Sequence, residues 1–227
     1  MTLKKQTLVN ENTLSYSTTI NQDHDISAVA GYAYNLTKIG TSTMSSNGGY
    51  NSSTITSLNA AVSVTGNTNE TQNVLLSYFG RVQYGYKGKY LFTASGRYDG
   101  ASRLSAGNKW SFFPSAAVGW NIFEESFMKN IRQVNNLKLR ASYGVSGNYN
   151  IGVYSTQNTL NSASNMSFGD VPVNSFVFRG TVGNANLGWE KTASLDIGLD
   201  FGFFKERLSG ALGNELGGQA HPRPDQT

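Results

Sequence analysis

The side chains that most often perform acid–base or metal chemistry are few in this sequence and lie far apart. His24 and His221 are the only histidines, and cysteine is absent. Neither histidine has a second ligand at the spacing of a metal site, and no thiol is present to act as a nucleophile or zinc ligand. We expect His24 at a hairpin turn and His221 in a surface tail. The sequence therefore predicts no metal site and no cofactor.

The carboxylates do not form a catalytic pair either. Asp196 and Asp200 fall on the same side of an alternating pattern, so four strand residues would separate them by about 13 Å. That distance exceeds the roughly 5 to 10 Å between the two carboxyl groups of a glycosidase. Glu124 and Glu125 are adjacent, and we expect both to be solvated. No catalytic residues are predicted, and the chain is not expected to be an enzyme.

The composition is unusual for a soluble domain. Charged residues make up 14% of the 227 residues, against roughly 25% in ordinary soluble proteins. The net charge of +4 is spread along the chain without a basic block, which argues against nucleic-acid binding. No run approaches the roughly 18 apolar residues of a membrane helix. A soluble β-sandwich and a transmembrane β-barrel, in which only every second residue meets lipid, both fit this composition.

Strict two-residue alternation predicts the elements that position the charged residues. Between Asn73 and Tyr86, apolar and aromatic residues occupy the even positions and polar residues most of the odd ones. Similar runs at 7–20, 26–36, 90–98, 112–122, 137–146 and 192–203 predict seven or eight antiparallel strands. The charged residues expected on the polar side, facing a barrel lumen, are Arg81, Arg97, Lys138, Arg140, Asp196 and Asp200.

The connections between these strands alternate in length. Short turns are predicted at 21–23, 87–88 and 204–206, and longer connections at 37–72, 99–109 and 147–191, with a middling segment at 123–135. Outer-membrane barrels have tight periplasmic turns and long extracellular loops. Aromatic residues also gather at both ends of the strands, as in the interfacial girdles of barrels. Both features favour a barrel over a sandwich.

Three segments depart from the alternating pattern. The segment from Phe123 to Ile131 is predicted to form a short amphipathic helix in a turn. The segment from Ala211 to Thr227 loses alternation and is predicted to be a disordered or aberrant tail, which leaves 1–210 as the barrel portion. The first five residues, Met1 to Lys5, are not followed by an apolar stretch, so no export signal is predicted here and we expect the chain to be part of a longer protein.

Five ordered blocks of sequence carry a family resemblance. They are KYLFTASGRYDGASR at 89–103, NKWSFFPSAAVGW at 108–120, FEESFM at 123–128, LKLRASYGVSGN at 137–148 and NANLGWEKT at 184–192. In order and spacing these blocks resemble the barrel of the SusC/RagA family of TonB-dependent outer-membrane transporters. The resemblance covers 72–210 and, more loosely, 7–36.

The family resemblance implies a barrel size, a substrate class and partners that the two-residue alternation does not predict. It implies that these strands belong to a barrel of about 22 strands in the bacterial outer membrane. It also implies uptake of glycans or peptides, powered by the TonB complex, with a SusD-like lipoprotein partner. The loop aromatics Tyr149, Tyr154 and Trp189 are then the candidates for substrate contact, because aromatic rings stack on sugars. Two alternatives stay open: a small self-contained outer-membrane barrel of eight strands, and a soluble carbohydrate-binding β-sandwich.

Overall fold

A computed structural model describes residues 1–55, 57–131, 133–158, 161–168, 171–177, 182–204 and 207–220. The strands are β1 (Thr2–Ile20), β2 (His24–Tyr50), β3 (Ala61–Tyr86), β4 (Tyr90–Ala101), β5 (Trp110–Asn121), β6 (Val134–Asn148), β7 (Asn161–Phe168), β8 (Val171–Val177), β9 (Glu190–Phe203) and β10 (Leu208–Ala220). Eight of them form one sheet in the order β1-β2-β3-β4-β5-β6-β9-β10, and β7 and β8 form a separate hairpin. Every pairing is antiparallel. The all-β antiparallel prediction is confirmed.

The register gives the sheet two chemically distinct faces. Starting from the odd residues of β3, cross-strand partners place the odd residues of β4 and β5 and the even residues of β6 and β9 on one side. We call this side the polar face and the other the apolar face. The polar face carries Ser, Thr, Asp, Arg and Lys side chains, whereas the apolar face carries rings and aliphatic chains. The alternation seen in the sequence therefore continues across the sheet, although Leu75, Phe79 and Phe113 are apolar exceptions on the polar face.

Large side chains on the apolar face are exposed, unlike those on the core-facing side of a sheet in a soluble protein. On the polar face Ser77 is completely buried, while on the apolar face Phe112 and Val118 are each more than half exposed. Water-exposed apolar surface of this extent would be costly, so the apolar face requires an apolar surrounding. No second sheet packs on it among the described residues, where the other sheet is the β7–β8 hairpin. This arrangement argues against the soluble sandwich.

Stacked aromatic rings mark both ends of the apolar face. Tyr90 stacks on Trp120 with ring centres 6.5 Å apart at one end, and Tyr98 stacks on Trp110 at 4.9 Å at the other. Ten strand residues separate the two tryptophans, which is about 33 Å along the strand. At a strand tilt of about 40° that is about 25 Å along the barrel axis, the height of the apolar band of a transmembrane barrel.

The predicted short turns are present. Asn21 and Gln22, and likewise Lys87 and Gly88, have positive φ angles of 52°, 61°, 53° and 64°, a conformation that matches the twist of adjoining strands in tight hairpins. The next short connection begins at Phe204, also with positive φ, and its Lys205 and Glu206 lie outside the described residues. None of the described helical segments is long and apolar enough to span a membrane.

The long polar connection predicted at 37–72 is wrong. Residues from this range instead extend β2 and β3, which pair from His24–Tyr86 as far as Tyr50–Ala61. Only 51–60 joins the strands, and it includes a 3-10 turn at Leu58–Ala60. A polar side chain does not prevent strand pairing, because the ladder is made by the backbone and threonine favours the extended conformation. β1 likewise starts at Thr2 and not at Thr7.

Two further predictions are corrected. The segment 123–131 forms no amphipathic helix but two 3-10 turns, Ile122–Glu124 and Ser126–Met128, separated by the extended Glu125. The expected disordered tail does not begin at Ala211, because Ala211 to Ala220 pair with β9 as part of β10. The alternation of β10 is hidden in the sequence because glycines stand among its apolar residues. The segment 221–227, with His221, lies outside the described residues.

Candidate functional site

The register brings the six predicted lumen-facing residues to one face of the sheet. Arg81 lies opposite Ser95, and Arg97 lies opposite Phe79, in the β3–β4 pairing. Lys138 and Asp196 lie opposite Asp200 and Ser142 in the β6–β9 pairing. The sixth residue, Arg140, lies opposite Gly198, and all six belong to the polar face. The structure therefore places these charges on a common surface, although they come from four different strands.

Arg97 anchors a buried polar group on that surface. Its Nε donates to both carboxylate oxygens of Asp99 at 2.7 and 2.8 Å, and its Nη2 donates to Ser77 Oγ at 2.9 Å. The Asp99 side chain is 10% exposed, whereas that of Arg97 is 46% exposed. The Asp99 carboxylate thus holds the Arg97 guanidinium against the sheet, while the outer edge of the guanidinium is exposed. Sequence analysis missed Asp99 and Ser77, although both share the odd-numbered side with Arg97.

A second charge pair lies on β6 and β9. Arg140 Nε is 3.4 Å from Asp200 Oδ1. Gly198 faces Arg140, and a Cβ at this glycine would stand 2.8 Å from the Arg140 guanidinium. The missing side chain of Gly198 therefore makes room for the arginine to lie flat across β9. Of the two lumen-facing aspartates predicted on β9, Asp200 is the one in this ion pair.

The loop aromatics contribute to a small packed cluster at the long-loop end. Trp189 is 7% exposed and packs with the buried residues Ala101, Leu104 and Phe113. Its Nε1 donates to the Lys109 carbonyl at 2.9 Å, and its ring meets Phe113 and Tyr149 edge-on at 5.0 and 5.1 Å. We call these residues the loop cluster. Trp189 is enclosed there, so in this arrangement its ring holds loops together and offers no free face to a ligand.

The other two loop candidates differ from Trp189. Tyr149 is partly buried against the loop cluster. Tyr154 is 43% exposed and adopts a positive φ of 68°, a conformation uncommon for a residue other than glycine. Of the three predicted substrate contacts, Tyr154 is the most exposed. Substrate contact by these residues stays a prediction.

A network at the short-turn end was not foreseen from the sequence. Glu125 accepts hydrogen bonds from Lys89 Nζ at 2.8 Å, Tyr90 Oη at 2.8 Å and Trp120 Nε1 at 3.2 Å. We call these four residues the turn clasp. The Glu125 side chain is only 12% exposed, so the expectation that it is solvated is wrong; Glu124 is exposed as expected. The clasp depends on the Tyr90–Trp120 register, which local sequence does not reveal.

The turn clasp changes the acidity of its carboxyl group. The hydrogen bond from Lys89, followed by those from Tyr90 and Trp120, lowers the pKa of Glu125 from 4.5 to about 2. In the neighbouring turn, hydrogen bonding to Tyr86 and the nearby Asp23 carboxylate raise the pKa of Lys87. Both groups are therefore charged at neutral pH, and the short-turn end carries fixed ion pairs.

The structure offers no metal centre in the part of the chain it describes, where no three His, Asp or Glu residues come together. His24 shares a hydrogen bond with Tyr84 through Nδ1 and Oη at 2.8 Å and packs against Tyr86. His24 lies among the aromatic residues at the short-turn end of the sheet.

Comparison with known families points to one class of protein. The family described as "TonB dependent receptor-like, beta-barrel" matches residues 3–213. Among curated proteins, the TonB-dependent receptor SusC of Bacteroides thetaiotaomicron is 42% identical over 146 residues, which is 63% of this chain and 14% of that protein. The TonB-dependent receptor P26 of Formosa agariphila is 38% identical over 212 residues, 89% of this chain and 21% of that protein.

Solved structures agree with these relatives. A structure of the RagAB peptide transporter superposes with a TM-score of 0.83 at 26% identity, over 95% of this chain and 24% of the matched chain. A structure of the RagAB peptide importer in the "open-open" state superposes with a TM-score of 0.82 at 27% identity. The chain therefore spans about a quarter or less of the length of the proteins it matches. These matches confirm the predicted segment of a transmembrane barrel.

Proposed function

Because this chain belongs to the TonB dependent receptor-like β-barrel family, we propose that it forms part of the wall of an outer-membrane transporter that imports glycans or peptides. The observation that carries the proposal is the two-sided sheet. One face presents apolar rings and aliphatic chains suited to lipid, and the other presents a mainly polar surface across β3, β4, β5, β6 and β9. The proposed role is transport without catalysis.

In this role the polar face lines the barrel interior. Its cations Arg81, Arg97, Lys138 and Arg140 stand among the carboxylates of Asp99, Asp196 and Asp200, so this surface carries charges of both signs. Such a surface guides a polar solute along the lumen. The apolar face meets the outer-membrane lipid, and the stacked rings at its ends lie at the two interfaces.

The substrate and the partners belong to the complete transporter. The similarity to a RagAB peptide transporter at 26% identity supports peptides, while aromatic loop residues such as Tyr154 are equally suited to stacking on sugar rings. We propose that a SusD-like lipoprotein covers the extracellular mouth and that the TonB complex supplies the energy. The similarity to SusC and to RagAB assemblies supports this pairing.

The orientation of the polar face is tested by cysteine labelling. The chain contains no cysteine, so Arg81→Cys and Val82→Cys each introduce one reactive group, on opposite faces of β3. In outer membranes, we expect a charged, water-soluble maleimide to label Arg81→Cys rapidly and Val82→Cys slowly, because lipid covers the second position. Equal labelling rates, or the opposite order, would contradict a lumen-facing polar surface.

The transport role is tested separately in the bacterium that carries the gene. We expect deletion of the gene to abolish growth on either a peptide mixture or a glycan mixture as the sole carbon source. In the wild type, we expect uptake of that substrate, supplied in labelled form, to stop when the proton gradient is dissipated. Growth and uptake that are unchanged on both substrates would refute the proposed import. Co-purification of a lipoprotein with the barrel tests the partner.

A further inference from the structure

A trough crosses the apolar face between β4, β5 and β6. It has a volume of about 430 Å³ and an almost wholly apolar lining. The residues that shape it are Tyr90, Phe92, Val118, Trp120, Leu139 and Ala141. All three strands are central in the sheet, so the trough is complete within this chain.

The trough results from the order of large and small side chains along the register. Tyr90, Trp120 and Leu139 form one cross-strand row, with the Tyr90 and Trp120 rings stacked at an interplanar angle of 14°. In the next row, Ala141 stands beside Val118, and its short side chain leaves a hollow under the stacked rings. The row of large rings therefore forms an end wall, and the small residues form the floor.

A second hollow continues the trough towards the middle of the membrane. It measures about 190 Å³, shares Val118 and Ala141 with the first, and is also lined by Ala116 and Tyr143. With this second hollow, the trough extends along the strand direction, away from the short turns. An apolar and elongated trough fits a linear hydrocarbon chain better than a compact ligand.

The two aromatic residues of the end wall donate hydrogen bonds to a charged group. Tyr90 and Trp120 direct their polar atoms away from the hollow to Glu125, which also binds Lys89. Lys89 and Lys87 lie in the same short turn, and their side chains are 25% and 45% exposed. An ammonium group has three N–H donors. The bond to Glu125 uses one of those on Lys89, and the ion pair with Asp23, at 3.4 Å, uses one of those on Lys87. Two partly exposed cations thus stand beyond the ring wall.

We propose that this trough is a specific phospholipid site, with one acyl chain in the apolar hollow and the lipid phosphate held by Lys87 and Lys89. Charge and depth in the membrane together support this assignment. The stacked rings mark the membrane interface, and the two lysines lie immediately on its polar side, at the level where the phosphate of a lipid begins. Glu125 holds Lys89 in place and leaves its remaining donors for a phosphate oxygen.

The test is native mass spectrometry of the protein isolated from outer membranes in a mild detergent. We expect the wild type to retain one phospholipid, and Ala141→Phe to lose it because the ring fills the floor of the trough. Ala193→Phe is the matched control: Ala193 also lies on the apolar face, on β9, but outside the trough, so this variant keeps the lipid. Lys87→Gln combined with Lys89→Gln also lowers the retained phospholipid.

Ala141→Leu is a second variant, in case Ala141→Phe fails to fold. Leucine narrows the trough and is well tolerated on a lipid-facing strand. Loss of phospholipid from Ala141→Leu but not from Ala193→Phe supports the proposal. Equal retention by the wild type, Ala141→Leu and Ala193→Phe would overturn it, since the lipid would then be part of the general annulus. Retention of lipopolysaccharide in place of phospholipid would overturn it as well.

Discussion

At the residue scale, the pKa of Glu125 predicts how the stability of the protein depends on pH. The pKa of Glu125 is lowered to about 2 chiefly by the hydrogen bond from Lys89, so the folded state favours the ionised carboxyl group. This contribution to stability is complete above the ordinary value of 4.5 and is lost as the pH falls towards 2. We expect the unfolding temperature of the wild type to fall over this window more steeply than that of Glu125→Gln, as measured by circular dichroism in detergent.

The neighbouring carboxylate provides the control for this measurement. Glu124 is exposed on the same turn, and Glu124→Gln should leave the pH dependence of the wild type unchanged. If Glu125→Gln loses stability over the same window as steeply as the wild type, the turn clasp does not contribute to folding as argued.

At the scale of the strands, close packing across β1, β2 and β3 depends on Gly31. A Cβ at Gly31 would lie 2.5 Å from the Asn12 carbonyl oxygen and 2.8 Å from Phe79 Cζ, so the Phe79 ring fits over a glycine that has no side chain. We expect Gly31→Ala to lower the free energy of unfolding by about 1 to 3 kcal/mol, the usual penalty of overpacking. Unfolding in urea measures the change.

Gly40 on the same strand is the matched position. A Cβ there has only the Lys4 carbonyl oxygen nearby, at 4.0 Å, and Gly40→Ala should be neutral or slightly stabilising because alanine has fewer unfolded conformations. Similar losses in both variants would show that glycine flexibility, and not the contact with Phe79, determines the effect.

At the scale of the whole molecule, the sheet presents two open edges. β1 and β10 each pair on one side only among the described residues, and unpaired strand edges promote association. We expect this chain, refolded alone in detergent, to form assemblies whose mass increases with concentration in light scattering. Leu8→Lys combined with Leu14→Lys, on the edge strand β1, should reduce the assembly.

Val82→Lys on the interior strand β3 tests whether the edge is responsible. It adds charge to the same apolar face but away from an edge, and should leave the assembly unchanged. A chain that stays monomeric at all concentrations would contradict association through its edges.

The sequence by itself determined the two faces and the tight turns of this protein. The direction of a side chain in a strand alternates with position, so Arg81, Arg97 and Arg140 were assigned to one face without knowledge of which strands pair. Turns such as that at Lys87 and Gly88 are equally local, because they depend on the backbone angles of a few residues. The family resemblance rested on short ordered blocks for the same reason.

Only the tertiary structure decided the features that depend on register between distant strands. Pairing extended β2 and β3 through a polar stretch predicted to be a loop, and pairing with β9 ordered residues from Ala211 onward. Glu125 lost its expected solvation because the register of β4 and β5 brings Tyr90 beside Trp120. Trp189 became enclosed through contacts with Phe113, which is distant in the chain. Backbone ladders and cross-strand packing supply these interactions, and no local pattern encodes which strands will meet.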